Sequence, residues 1–221
     1  MLMASVYQFL TGPALWAVFI VFLGGLVVRL IVLFRISRRK DRIIYNHMSL
    51  KWGIKSILHW LIPWGSASMR NQPVFTLMVF FFHITLLGVP LFLAAHNILW
   101  DEAFGVSLWS MPDHWADGLT VLCIGTVLFL LIRRLVRPEV RILTSIWDYA
   151  LLFITVLPFL TGFLAYHQFG PYQPMMILHI LLGEVLLVLI PFSKLGHMFL
   201  FFFSRAFIGF EMGARRGARP W

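Results

Sequence analysis

The chain has 221 residues, of which 60% are hydrophobic and only 12% charged. A water-soluble domain of this length carries about twice that share of charge, so the composition excludes one. The formal net charge of +9 resides in clusters, "RISRRKDR", "RRLVRPEVR" and "ARRGAR", that flank apolar runs; this is the pattern of topology signals and lipid-headgroup contacts, and it argues against a nucleic-acid partner. The single cysteine, Cys123, lies in an apolar run and permits no internal disulfide, CxxCH haem attachment or thiolate cluster.

Several runs reach the ~18–20 apolar residues of a membrane-crossing helix, and they predict an all-α, polytopic membrane protein of five spans. The opening "MLMASVYQFLTGPALWAVFIVFLGG" lacks a basic leader, and its apolar run is too long for a cleaved signal. It reads as a retained first span over about 14–34. The connection that follows holds "LKWGIKSILHWLIPWG", an interfacial or partner-binding helix over about 49–62 with Trp60 and Trp64 at headgroup level. The second span covers about 74–99, the third 119–132, the fourth 147–166 and the fifth 174–203. Together they form one integral-membrane domain over 1–221 without internal repeats. Pro90 and Pro158 lie within spans, where neighbouring helices can satisfy the freed carbonyls.

Orientation follows from Lys and Arg. With the N-terminus periplasmic and the C-terminus cytoplasmic, none of the eighteen Lys and Arg residues falls in an outer loop. The main outer loop carries Asp101, Glu102, Asp113 and Asp117 instead. The expected location is a bacterial inner membrane.

Eight histidines divide into two groups. His47, His59, His114 and His167 belong to loops and span ends, where solvated or interfacial side chains are expected. His83, His96, His179 and His197 lie inside the second and fifth spans, where an unpartnered ring is expensive. His179 and His197 are 18 residues apart, a whole number of helical turns, hence on one face and ~27 Å apart along the axis. His83 and His96 are 13 apart, which is ~20 Å along a helix but ~140° apart around it, with Pro90 between them. Antiparallel packing of the two spans sets His83 level with His197 near the inner side and His96 level with His179 near the outer side.

Two pairs of neutral imidazoles at two depths match axial ligation of two b-type haems. The alternative is that these rings bond to one another, to Ser or Thr, or to water. Zinc fits less well, because its ligands must converge on one point. Gly88 and Gly183, near the candidate ligands, leave room for a macrocycle. Lys194, Arg205 and Arg133 are candidates for the inner haem propionates, or else anchors of helix ends at headgroups. Glu184 is the only acidic residue deep in a span; it is expected to exchange protons with a quinone or tune a haem, or to be a neutral carboxyl bonded to a neighbouring helix. Asp148 is expected to cap the fourth span or pair with Arg141.

The stretch from "RRLVRPEVRILTSIWDYALLFITVLPFLTGFL" through "LHILLGEVLLVLIPFSKLGHMF" resembles the gamma subunit of respiratory nitrate reductase, a five-span dihaem cytochrome b. "YQFLTGPALWA" and "QPVFTLMVFFFHITLLGVPLFLAAHN" are similar, more closely, to the membrane cytochrome b subunit of the high-molecular-weight or tetrahaem cytochrome c redox complexes of sulfate-reducing bacteria. The resemblance covers nearly the whole chain. It implies haem irons held by His83 with His197 and by His96 with His179. It also implies an electron-transfer subunit with no catalytic chemistry of its own. Its expected partners are a periplasmic multihaem cytochrome c, menaquinone, a cytoplasmic iron–sulfur protein and other integral-membrane subunits. Two departures stand out: the 13-residue separation in the second span is longer than in the nitrate reductase subunits, and no lysine occupies the outer half, where theirs is associated with quinol. The rival expectations are a quinol-oxidising subunit with an outer-side quinone site and a haem-free membrane anchor.

Overall fold

The protein is described by a computed structural model covering residues 2–219, in which every regular element is helical. Helix α1, Met3–Lys40, is longer than the expected first span at both ends. A π-helical turn, Leu10–Ala14, absorbs Pro13, so proline does not mark the helix start there. The basic stretch 38–40 extends the other end, where cations suit the exposed carbonyls. After a 3-10 turn, Arg42–His47, helix α2, Leu50–Leu61, follows the expected interfacial element.

The second expected span is two helices, α3, Pro73–Phe92, and α4, Ala94–Phe104, separated at Leu93 by an extended residue (φ −70°, ψ 130°). Helices α5, Asp113–Val136, and α6, Ile146–Tyr166, contain the third and fourth expected spans. The fifth is also interrupted, into α7, Tyr172–Phe192, and α8, His197–Ile208, joined through extended Ser193 and a 3-10 turn. A π-helical segment, Gly209–Arg215, continues α8. Six helices are therefore long and apolar enough to cross a membrane: α1, α3, α5, α6, α7 and the stretch Lys194–Arg215. Five were expected, because 174–203 was read as a single span. The chain is an all-α, multi-pass membrane protein.

The break at Leu93 is closed by a complete account of the carbonyls that end α3, which a helix leaves without internal partners. The Leu93 amide donates to the Val89 carbonyl at 2.9 Å and the Met111 amide to that of Phe92 at 2.8 Å. The two between are served by side chains: His96 Nδ1 donates to Pro90 at 3.0 Å, and Asn97 Nδ2 to Leu91 at 3.1 Å. Asn97 also donates to the Leu93 carbonyl and accepts the Leu108 amide at 2.7 Å. It is 2% exposed and ties the returning loop to the helix end.

Two compact units emerge from the chain's contacts. The first contains Leu77–Gly183 with the chain's beginning up to Leu10, and the second contains Thr11–Thr76 with the chain from Glu184 onward. In the first, Val89, Cys123 and Phe159 form a buried cluster across α3, α5 and α6. Thr85, Thr120, Thr126, Thr155 and Thr161 are buried beside it, each hydroxyl donating to a carbonyl of its own helix. Small polar residues can thus pack at helix crossings without an unpaired group. Asp148 accepts from the Ser145 amide and hydroxyl at 2.9 and 2.8 Å and closes the start of α6, as the end-cap alternative required. In the second unit α2 packs against α8 and its continuation. There Gly209 and Gly213 lie directly on Trp52, and Tyr45 meets Phe34 and Phe207 edge-on. Large apolar side chains such as Ile20, Val28 and Ile84 remain exposed, as on a lipid-facing surface.

Replacing Asn97 by Ala strands the Leu91 carbonyl and the Leu108 amide in a buried turn, while the Leu93 carbonyl keeps the backbone amide of residue 97. The expected cost is about 1–3 kcal/mol, read as a lowered unfolding temperature in detergent. Asn97→Asp should fall between the two, since it keeps only the acceptor.

Candidate functional site

The four histidines of the second and fifth expected spans share one local device. Nδ1 of His83 bonds the Val79 carbonyl at 2.8 Å, that of His96 the Pro90 carbonyl at 3.0 Å, that of His179 the Pro158 carbonyl at 2.8 Å and that of His197 the Lys194 carbonyl at 2.8 Å. A carbonyl can only accept, so Nδ1 carries the hydrogen in each ring. In the neutral imidazole the lone pair then lies on Nε2. This is the state in which a histidine ligates a metal while its second nitrogen is held by the protein.

The first unit brings His96 and His179 together. Their ring centres are 6.1 Å apart and their planes lie within 15° of parallel. Two metal–imidazole bonds of about 2.0 Å set the ligating nitrogens about 4 Å apart, and half a ring on each side brings the centres to about 6 Å. At this separation the two rings would be near enough to hold one metal between them. The position of each ring has a specific cause. The interruption at Leu93 removes the continuous-helix phase that kept His96 ~140° from His83, and it exposes the Pro90 carbonyl that orients the ring. His179 reaches the Pro158 carbonyl on α6 across Gly162: a Cβ there would stand 2.8 Å from Cε1 of His179 and 3.0 Å from Nδ1. A Cβ at Gly88 or Gly183 would meet nothing within 4 Å. No group of three or more His, Cys, Asp or Glu able to hold a metal occurs among the described residues, which disfavours a tetrahedral site but not a two-ligand one. Two neutral imidazoles with Nδ1 bonded to carbonyls are donors that would suit a haem iron, which His96 and His179 would hold.

His83 belongs to the first unit and His197 to the second. In the second unit His197, Lys194 and Arg205 line one cavity of about 380 Å³, together with Arg29 and Ser204. The Arg205 guanidinium lies 3.8 Å over the Trp60 ring. Arg133 is not part of this cavity; it stands in the last turn of α5, in the first unit. Glu184 is 6% exposed, and its Oε1 has no hydrogen-bond partner among the described residues; on this atom, the expected bond to a neighbouring helix is missing. Of the remaining histidines, His167 pairs through Nε2 with Asp117 at 3.1 Å, and His114 lies beside Trp115.

Three residues of the site escape a reading of composition and spacing. Asn97 was signalled only by its place beside His96. Gly162 stands four residues after Pro158, a spacing that opens one helix face at the bend. Arg29 is a cation inside an apolar helix, a signal easily absorbed into the count of basic residues.

No family profile and no solved structure matches the chain. A protein of Nitratidesulfovibrio vulgaris (strain Hildenborough), named simply "Protein", is 44% identical over 225 residues, covering 97% of this chain and 100% of the relative.

Substituting Gly162 by Ala should push His179 off the Pro158 carbonyl and cost about 1–3 kcal/mol through overpacking. With the histidines labelled with nitrogen-15, NMR of the haem-free protein should show His96 and His179 protonated at Nδ1. The Gly162→Ala variant should lose that signature at His179 alone.

Proposed function

The chain belongs to the same family as the Nitratidesulfovibrio vulgaris protein, and we propose that it is a dihaem b-type cytochrome subunit of a respiratory complex in a bacterial inner membrane. In this reading it conducts electrons between a periplasmic multihaem cytochrome c and menaquinone, a cytoplasmic iron–sulfur subunit, or both. In this reading it is akin to the membrane cytochrome b subunit of the high-molecular-weight or tetrahaem cytochrome c complexes of sulfate reducers, and more broadly to the nitrate reductase gamma subunit. The observation that carries the proposal is the His96–His179 pair: two near-parallel imidazoles at axial spacing, each with Nδ1 tied to a proline carbonyl.

When bound, haem supplies reversible one-electron chemistry at its iron. The chain's own residues hold and tune. His96 and His179 are proposed as the outer ligands and His83 with His197 as the inner ones. The carbonyls of Pro90, Pro158, Val79 and Lys194 fix each tautomer and make Nε2 a stronger donor. Lys194 and Arg205 supply positive charge for the inner propionates, and the shared cavity supports these two over Arg133. Glu184, with its unpartnered oxygen, is proposed to tune a haem or to meet a quinone. That oxygen also favours a second reading, quinol oxidation, which requires quinone-dependent reduction blocked by a site inhibitor and lost in Glu184→Gln.

For orientation we propose five crossings with the N-terminus periplasmic. The final stretch Lys194–Arg215, which packs on α2, then stays at the inner face and keeps Arg215 and Arg216 in the cytoplasm. A reporter fused to the C-terminus should be active only in its cytoplasmic form.

The isolated wild type should contain about two non-covalent haems with low-spin b-type spectra. Ala at His96 or His179 should remove one, and Ala at His83 or His197 should remove the other. Unchanged haem content in all four variants, or a haem-free wild type in a folded membrane fraction, would contradict the assignment.

A further inference from the structure

Arg29 stands well inside α1, eleven residues before Lys40, where a guanidinium is costly unless its donors are met. Its Nη1 donates to two carbonyls, Pro191 at 2.8 Å and Ser193 at 2.7 Å. Both lie where α7 ends and the chain turns toward α8. The turn is otherwise closed by its own groups: the Gly196 amide reaches the Ser193 carbonyl at 3.3 Å, and the Leu195 amide reaches Ser193 Oγ at 3.2 Å. The next residue is His197, whose Nδ1 bonds the Lys194 carbonyl inside the same turn. Arg29 thus holds two carbonyls of the turn that leads into His197.

The sequence at the turn is shaped to admit that grip. A Cβ at Gly196 would stand 2.6 Å from Nη1 of Arg29 and 3.1 Å from the Ile190 carbonyl. Glycine is required here by close approach, since its φ of −57° is ordinary. Arg29 also lines the cavity that holds Lys194, His197, Ser204 and Arg205. Arg29, Lys194 and Arg205 line that cavity with no carboxylate among the described residues, a lining that suits an anion or a molecule with anionic groups. A guanidinium has five N–H donors, and the two carbonyls engage only Nη1.

We propose that Arg29 is the positioning residue of His197, fixing the turn that presents Nε2 and offering charge in the same cavity to the carboxylates of the group that His197 binds. The inference rests on the haem reading above, and it assigns to α1 a part in a site otherwise built from the histidine-bearing helices. Lysine cannot replace arginine fully: its ammonium keeps the charge but is a single point on a flexible stem, poorly suited to holding two carbonyls in a fixed relation.

The test uses full-length wild type, Arg29→Gln and Arg29→Lys, purified in detergent, with low-spin electron paramagnetic resonance and a redox titration. Two reference variants, His179→Ala and His197→Ala, identify which signal belongs to which haem. Losing a nearby positive charge favours the ferric state. Arg29→Gln should therefore shift the midpoint of the His197-dependent haem to a more negative value and alter its resonance, leaving the His179-dependent haem as in wild type. Arg29→Lys should restore the midpoint but not the resonance, because charge returns without the two-carbonyl grip. Wild-type signals in both variants overturn the proposal, and so does equal loss of both haems in both variants, which marks a role in folding alone. A wild type without haem is a different failure, seen before any Arg29 variant is compared, and brings down the haem reading together with this inference.

Discussion

A backbone carbonyl beside a proline is the acceptor on which this site depends. In lipid a carbonyl left without a backbone amide must be met from within the protein, as at the helix ends that follow Pro90 and Pro191, and a carbonyl already in a helix can accept a second donor. Here the carbonyl of Pro90 takes the His96 ring, that of Pro158 takes His179, and that of Pro191 takes Arg29. The same bond that satisfies the backbone fixes the donor: each imidazole is locked with its hydrogen on Nδ1, and the guanidinium is held at the foot of α8. Backbone satisfaction and ligand preparation are one event.

That economy explains why the helices are interrupted where they are. Leu93 and Ser193 each break a stretch that hydropathy reads as continuous, and each break lies within four residues of a candidate ligand. A straight helix in place of α3 and α4 would bond the Pro90 carbonyl to a backbone amide and turn His96 away from its present direction. Asn97 makes the break affordable by meeting the next carbonyl and the returning loop together. The hydroxyls buried around Cys123 follow the same rule in simpler form, each returning to its own helix.

Apolar run length made the helical, membrane-spanning character legible, and the basic clusters supplied a consistent orientation. Position inside apolar runs singled out four rings from eight. What spacing alone hid was phase. A 13-residue interval argues against a shared face on an ideal helix, and only the extended backbone at Leu93 removes that objection. Helix count was obscured for a related reason: in "PFSKLGH" the apolar run barely falters, while the backbone turns at Ser193 and starts again. Gly162 and Arg29 act on histidines carried by other helices, and a pattern read along one chain segment does not show which neighbour a side chain reaches. Arg205 was legible as a cation near His197, but its stacking on Trp60 was not.

The central claim of the proposal is that His96 and His179, near-parallel with ring centres 6.1 Å apart, together hold one planar iron-bearing group. The most direct measurement is a cryo-electron microscopy map of the full chain purified from its native membrane in lipid nanodiscs, resolved well enough to separate ring-sized features between α4 and α7. The account expects a flat density bridged on both faces by the two imidazoles through Nε2. Side chains or lipid filling that space, with the rings turned away from it, would contradict the account.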